Sequence, residues 1–218
     1  MKDRILKALN LNALAYETVK QKFERGMSEN DIKDIILSAA SGAEDYSGDI
    51  IGGIRSAEIE GDATDYALKD GDCLILDLQF KLNNVWTDTT RTFFIGTPND
   101  EVKRAYELCR YAKHAGESAL KADVQAFTVY NAVKSAFEPY AQYFPHHAGH
   151  LFGESVCVQP QLLPDKYEYL KAGDFVTLEP GIYFKNKFGI RVEDNYHITE
   201  NGADNLFNYP INMEYFII

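Results

Sequence analysis

The chain has 218 residues, 45% of them hydrophobic and 25% charged, which is enough for one large domain or two small ones with an ordinary globular core. A net charge of -11 argues against a nucleic-acid partner, which calls for a basic face. Three widely spaced cysteines, Cys73, Cys109 and Cys157, give no disulfide framework, no apolar run approaches a membrane span, and no signal-peptide core follows Met1, so the expectation is a cytoplasmic protein with no membrane partner.

Residues 4–24 place Ile5, Leu6, Leu9, Ala13, Tyr16, Val19 and Phe23 at near-helical spacing, and Gly26 stops that helix. Ser28 caps a second helix, with Asp31 placed as in a capping box and Ile32, Ile35, Ile36 and Ala39 as its apolar stripe. Residues 41–72 are rich in Gly, Ser and Asp and read as one strand, near 49–54, between long loops. The apolar run Cys73 to Leu76 then leads into Asp77, and a β-prone run from Val85 to Phe94 carries Asp88. Asn83-Asn84 is a tight-turn signal between them. The resulting hairpin, about 73–95, sets Asp77 and Asp88 roughly opposite each other. Thr97-Pro98-Asn99-Asp100 starts a helix, with Thr97 as cap and Pro98 at the first position, and the helix runs to about Lys121. Asp123 caps another, which ends near Glu138-Pro139. Residues 144–165 read as irregular, a second hairpin covers about 173–198, and the tail 208–218 reads as a short closing strand.

The order is helix, helix, sheet, helix, helix, sheet, with no low-complexity linker. That is one α+β domain of two similar halves joined in one sheet, an internal repeat of structure rather than of sequence.

Facing carboxylates repel unless something positive lies between them, and a divalent metal is the usual solution. One such hairpin also reads as a surface turn with two solvated acids. The second hairpin repeats the pattern: Glu179 and Glu193 are equidistant from Asn186, at the centre of its polar turn. His146-His147-Ala148-Gly149-His150 adds three imidazoles in a Gly-containing stretch. Four carboxylates and one imidazole suit Mn, Fe, Co or Zn, often as two ions bridged by carboxylates.

Together these residues resemble the pita-bread metallopeptidases: methionine aminopeptidase, aminopeptidase P, prolidase and the metal-free creatinase. The family's segments match Asp77, then Asp88-Thr89-Thr90-Arg91-Thr92-Phe93, Gly149-His150, Glu179-Pro180-Gly181-Ile182-Tyr183 and Gly189-Ile190-Arg191-Val192-Glu193-Asp194. Thr90 to Phe93, and Arg191 before Glu193, resemble the prolidase and aminopeptidase P branch. The resemblance implies the pita-bread fold, two pseudo-symmetric halves around a curved antiparallel sheet. It implies a single catalytic domain over residues 1–218, without the N-terminal creatinase-like domain of larger members and with homodimer contacts as an open question. It implies that Asp77, Asp88, His150, Glu179 and Glu193 hold two divalent ions (Mn, Co, Zn or Fe), with Glu179 also shuttling protons. The implied activity is hydrolysis of small Xaa-Pro peptides. The alternatives are a non-peptidase enzyme acting on a small polar molecule, and a metal-binding protein without turnover.

Two positions depart from the pattern. Relatives carry a histidine seven residues after the ligand His, where this chain has Cys157, and another about seventeen residues before the first Asp, where it has Glu60. A thiol is a weak donor, and a carboxylate opposes a developing oxyanion. His146 matches a position that is also His in many relatives, and reads either as a partial replacement for the lost imidazoles or as a hydrogen-bonding support. Cys157 reads as a buried structural thiol rather than a nucleophile. Arg91 and Arg191 read as ion-pair partners behind the metals, and Tyr183 and Trp86 as core or pocket wall.

Overall fold

The computed structural model describes all residues 1–218. Helix α1 (Lys2–Lys22) and helix α2 (Glu29–Ala39) come first, and Ser28 closes the expected capping box with Asp31. Strands β1 (Asp45–Ser47) and β2 (Ile50–Gly52) follow, then a 3-10 helix over Gly53–Glu58. Strands β3 (Cys73–Leu82) and β4 (Val85–Phe94) form the first hairpin. Helices α3 (Asp100–Ala119) and α4 (Ala126–Ala136) lead to the short strands β5 (His150–Leu151) and β6 (Val158–Gln161), in a stretch where the sequence predicts irregular structure. The second hairpin is broken into four pieces: β7 (Phe175–Leu178), β8 (Gly181–Phe184), β9 (Phe188–Arg191) and β10 (Asp194–Ile198). Strand β11 (Ala203–Asn205) completes the set. No helix is long and apolar enough to cross a membrane.

The strands do not form one continuous sheet. β1, β3, β2 and β4 make one antiparallel sheet, β11, β10, β7, β5 and β6 a second, and β8 with β9 a third. A single antiparallel bridge, Thr90 to Glu193, joins the halves, with the Glu193 N–H donating to the Thr90 carbonyl at 3.0 Å. Helix α1 packs on the back of the first hairpin: Tyr16 Oη donates to Thr89 O at 2.8 Å and Asn12 Nδ2 donates to Leu78 O at 2.7 Å. One apolar cluster runs from Ile5 and Tyr16 through Leu76 and Phe93 to Val176 and Leu178, so the core spans both halves.

Several boundaries moved, each for a local reason. Asn99, not Thr97, caps α3, since its side chain accepts from the N–H groups of Glu101 and Val102 at 2.9 and 3.0 Å. Asp123 caps nothing: it sits at φ 60, and its N–H goes to Leu170 O at 2.9 Å, so pairing with the 166–170 segment outcompetes the cap. The tail closes onto β4 as expected, but through a bridge from Phe94 to Ile217 and a 3-10 turn over Met213–Phe216 rather than a strand.

The repeat, which the element order alone gives as one of structure, is also legible in sequence. Lys69-Asp70-Gly71-Asp72 opens the first hairpin and Lys171-Ala172-Gly173-Asp174 the second. In each, the Lys N–H donates to the Asp carboxylate, at 3.0 and 2.8 Å. In each, the Gly N–H reaches across to an isoleucine carbonyl, Ile95 at 2.8 Å and Ile198 at 2.9 Å. Five residues after each Asp stands an acid of the site, Asp77 or Glu179.

Candidate metal centre

The first hairpin turns at Asn83 and Asn84, both left-handed at φ 54 and 56, one residue later than the spacing of the acids suggests. Asp77 therefore lies opposite Thr90, and Asp88 opposite Gln79. The two aspartates are diagonal neighbours on one face rather than a facing pair. In the second hairpin, Leu178 lies opposite Asp194 and Gly181 opposite Arg191, so Glu179 and Glu193 meet across the break between the two ladders.

These acids converge with His150 at the junction of the halves. His150 Nε2 is 3.3 Å from Asp88 Oδ2 and 3.7 Å from Glu179 Oε1. Asp88, His150 and Glu193 offer ligand atoms within 4.8 Å of one another. Gly149 brings this strand in: a Cβ there would lie 2.0 Å from Thr177 O, a contact only glycine avoids. Thr177 Oγ1 then accepts from the His150 N–H at 3.1 Å and donates to Glu179 Oε1 at 3.2 Å.

Arg191 is the organiser on the other side. Its guanidinium is buried and donates to Asp77 Oδ2 at 2.7 Å, Tyr183 Oη at 2.8 Å, Ile59 O at 2.9 Å and Thr90 Oγ1 at 3.2 Å. Thr90 Oγ1 in turn donates to Glu193 Oε2 at 2.8 Å. Arg91 lies further back, as expected of an ion-pair partner: it binds Asp194 at 2.7 Å and donates to the carbonyls of Thr90 and Glu193 at 2.9 and 2.7 Å.

His146 is fully engaged. Its Nδ1 is 2.7 Å from His147 O, so that nitrogen carries the proton, and its Nε2 accepts from Tyr183 Oη at 3.0 Å. Burial pushes its pKa down to about 4, so the ring is neutral and has no donor left over. That favours the supporting role over replacement of a lost imidazole. Tyr183 walls a second cavity beside the metal cleft rather than the cleft itself, while Trp86 stands away from both with Lys81 over its ring at 6.0 Å.

A cavity of about 340 Å³ opens over these groups, and Glu60 lines it with Asp49, Asp62, Gln79 and His147. Cys157 is exposed rather than buried, which corrects the structural-thiol reading. His150 lowers its thiol pKa, and Gln161 Nε2 is 3.7 Å from the sulfur. His147 Nδ1 lies 3.3 Å from Glu179 Oε1, close enough for charge attraction though out of line for a hydrogen bond. The sequence pattern offers His147 only as one of three clustered imidazoles and gives Asp49 and Gln79 no role at the site. Gln79 was findable, because period-two alternation from Asp77 puts it on the same face. Asp49 arrives through backbone pairing with Asp77, at 3.0 and 2.9 Å, which no local pattern announces.

The electrostatics show strain among like charges. Burial and the Asp77 carboxylate push the Asp88 pKa up to about 7. Burial, Asp88 and Glu179 push Glu193 well up. Glu179 is held down, since His147 and His150 outweigh the effect of its burial. Three buried carboxylate oxygens, Asp77 Oδ1, Asp88 Oδ1 and Glu193 Oε1, have no hydrogen-bond partner. Each is an orphan acceptor whose burial is costly unless a cation meets it. The donor set of hard oxygens and one imidazole fits divalent metal.

A family model described as metallopeptidase family M24 matches residues 3–200. The chain belongs to metallopeptidase family M24. As an M24 protein it is 32% identical over 208 residues to the Xaa-Pro dipeptidase of Pyrococcus furiosus, covering 93% of this chain and 60% of that one. The X-Pro aminopeptidase structure from Thermotoga maritima superposes with a TM-score of 0.94 at 29% identity, over 99% of this chain and 62% of that one. The P. furiosus prolidase structure gives 0.92 at 29%, over 95% and 64%. The fold is the pita-bread fold, and the M24 chain spans about three fifths of the length of these relatives.

Proposed function

We propose that this M24 chain catalyses metal-dependent hydrolysis of small Xaa-Pro peptides. The observation that carries the proposal is the set of three orphaned, buried carboxylate oxygens converging beside His150 and Glu179. Asp77, Asp88, His150, Glu179 and Glu193 would hold two divalent ions, with Mn, Co, Zn and Fe all compatible with the donors. Bound divalent metal supplies Lewis acidity toward the scissile carbonyl and makes water a nucleophile at neutral pH.

The chain's own residues do the rest. Glu179 would take a proton from the attacking water and hand it to the departing amine. Thr177, His147 and His150 all address its Oε1, leaving the second oxygen for that proton. Arg191 fixes Asp77 directly and Glu193 through Thr90, so neither carboxylate can swing away. The Arg191–Tyr183–His146 chain holds the opposite wall.

Glu60 gives the alternative its support. A carboxylate in the cleft where relatives carry an imidazole disfavours a tetrahedral oxyanion, which suits slow peptide cleavage or a different small polar substrate. Reloading with Mn or Co followed by elemental analysis should give about two ions per chain, and the loaded protein should release proline from Ala-Pro. Metal content near zero after reloading would sink the proposal. Full loading with no proline release, but turnover of an amidine or amide, would favour the alternative.

A further inference from the structure

Three imidazoles line the metal cleft, and two of them are accounted for. His146 spends both ring nitrogens on His147 O and Tyr183 Oη. His150 donates from Nδ1 to Leu151 O at 3.0 Å, which leaves the Nε2 lone pair facing Asp88 and Glu179. His147 is different. Its Nδ1 is buried and has no hydrogen-bond partner, although Glu179 Oε1 is only 3.3 Å away. A buried ring nitrogen without a partner calls for the same explanation as the three orphaned carboxylate oxygens beside it.

Direction explains the missing bond. A hydrogen-bond donor points at its acceptor. Two ligands of one ion do not point at each other, because each points at the ion between them. Ligand atoms held about 2.0–2.2 Å from one cation lie about 3–4 Å apart. His147 Nδ1 to Glu179 Oε1, at 3.3 Å, and His150 Nε2 to the same oxygen, at 3.7 Å, both fall in that interval. The His147 and His150 rings stand 5.6 Å apart between centroids, at 73° to each other, near enough for both to reach one ion. The backbone holds them there: the Glu179 N–H donates to Ala148 O at 2.9 Å, and the Ala148 N–H to Leu162 O at 2.9 Å. His146 also has a ligand atom within 4.8 Å of those of His147 and Glu179, but its nitrogens are already spent.

We infer that His147 is a sixth protein ligand of the metal centre, binding through Nδ1 the ion that His150 and Glu179 share. The inference rests on the metal reading of the site and adds a preference to it. Imidazole suits Zn, whereas carboxylate oxygen suits Mn, so a second imidazole at one ion turns that position toward Zn.

The chain loaded with a spin-active cadmium isotope reads the coordination directly, through scalar coupling from the metal to labelled imidazole nitrogens. Two couplings are expected, to His150 Nε2 and His147 Nδ1. Coupling to His150 alone would overturn the inference and leave the metal centre standing. No coupling to any imidazole would overturn the metal reading and the inference with it. Metal-free protein equilibrated with equal Zn and Mn should then retain Zn in preference at one position. His147→Ala should lower the bound Zn-to-Mn ratio by about ten-fold or more, since losing a group that only supports a ligand already costs about that much in affinity. His114→Ala, at an exposed position on α3, should leave the ratio unchanged. An unchanged ratio in a His147→Ala protein that still melts cooperatively would overturn the inference. If that variant does not fold, the cadmium couplings of the native chain decide.

Discussion

Glu60 and Cys157 are the two side chains on which the proposed peptidase chemistry turns. Glu60 lines the cleft, whereas Cys157 is exposed and outside its lining, with its thiol pKa lowered by His150. Neither is a good donor to developing negative charge, and losing one such donor costs about 10²–10³ in rate. The double change Glu60→His with Cys157→His should therefore raise Ala-Pro turnover, by less than the product of two donors because residues acting as a unit are not additive. A double variant no faster than wild type would mean these positions do not limit the reaction. His146 cannot compensate, because both its ring nitrogens are spent on His147 O and Tyr183 Oη. Sequence could name His146 but not its orientation. Spacing says that an imidazole is near and is silent on which way its nitrogens point. His147 was hidden for the same reason, being one of three histidines whose relation to Glu179 depends on the bend at Gly149.

At the scale of elements, the broken second hairpin matters most. A continuous ladder would pair Glu179 with Glu193 flat on a sheet face. The gap between β7–β10 and β8–β9 instead turns both acids into the junction with β4. Without metal, this crowding has a pH signature. Asp88, with its pKa raised to about 7, and Glu193, also raised, hold protons in the folded chain that the unfolded chain has already released. Their stabilisation is complete below the unfolded carboxylate range, near pH 4, and is lost as pH rises through about 7. His150, raised to about 12 by its carboxylate neighbours against the effect of burial, acts in the same direction above its unfolded value. The chelator-treated protein should accordingly melt at a lower temperature at pH 8 than at pH 6. Saturating Mn should reverse that order, because metal binds the deprotonated acids and releases their protons. A metal-free melting temperature that rises from pH 6 to pH 8 would contradict this account. The hairpins themselves were legible from alternation and turn residues. The break was not, because it depends on Glu193 pairing with Thr90, far away in the chain.

Over the whole molecule, the element order and the ligand types could be read from sequence because they are local patterns. The assembly of three sheets could not, since it rests on long-range pairing. The Lys-x-Gly-Asp segments lay in plain view, and their identical hydrogen bonding shows that the halves are built to one plan. The candidate ligands divide along the same line: Asp77 and Asp88 come from one half, and His150, Glu179 and Glu193 from the other. A bound ion would thus act as a clasp between two components of one plan. Cutting the chain in the connection between β4 and α3, between Gly96 and Asn99, severs no ligand from its own half. The two pieces, refolded together, should recombine into one particle in the presence of Mn and separate when it is chelated, as followed by sedimentation. Pieces that stay together equally well without metal would show that the shared apolar core alone joins them.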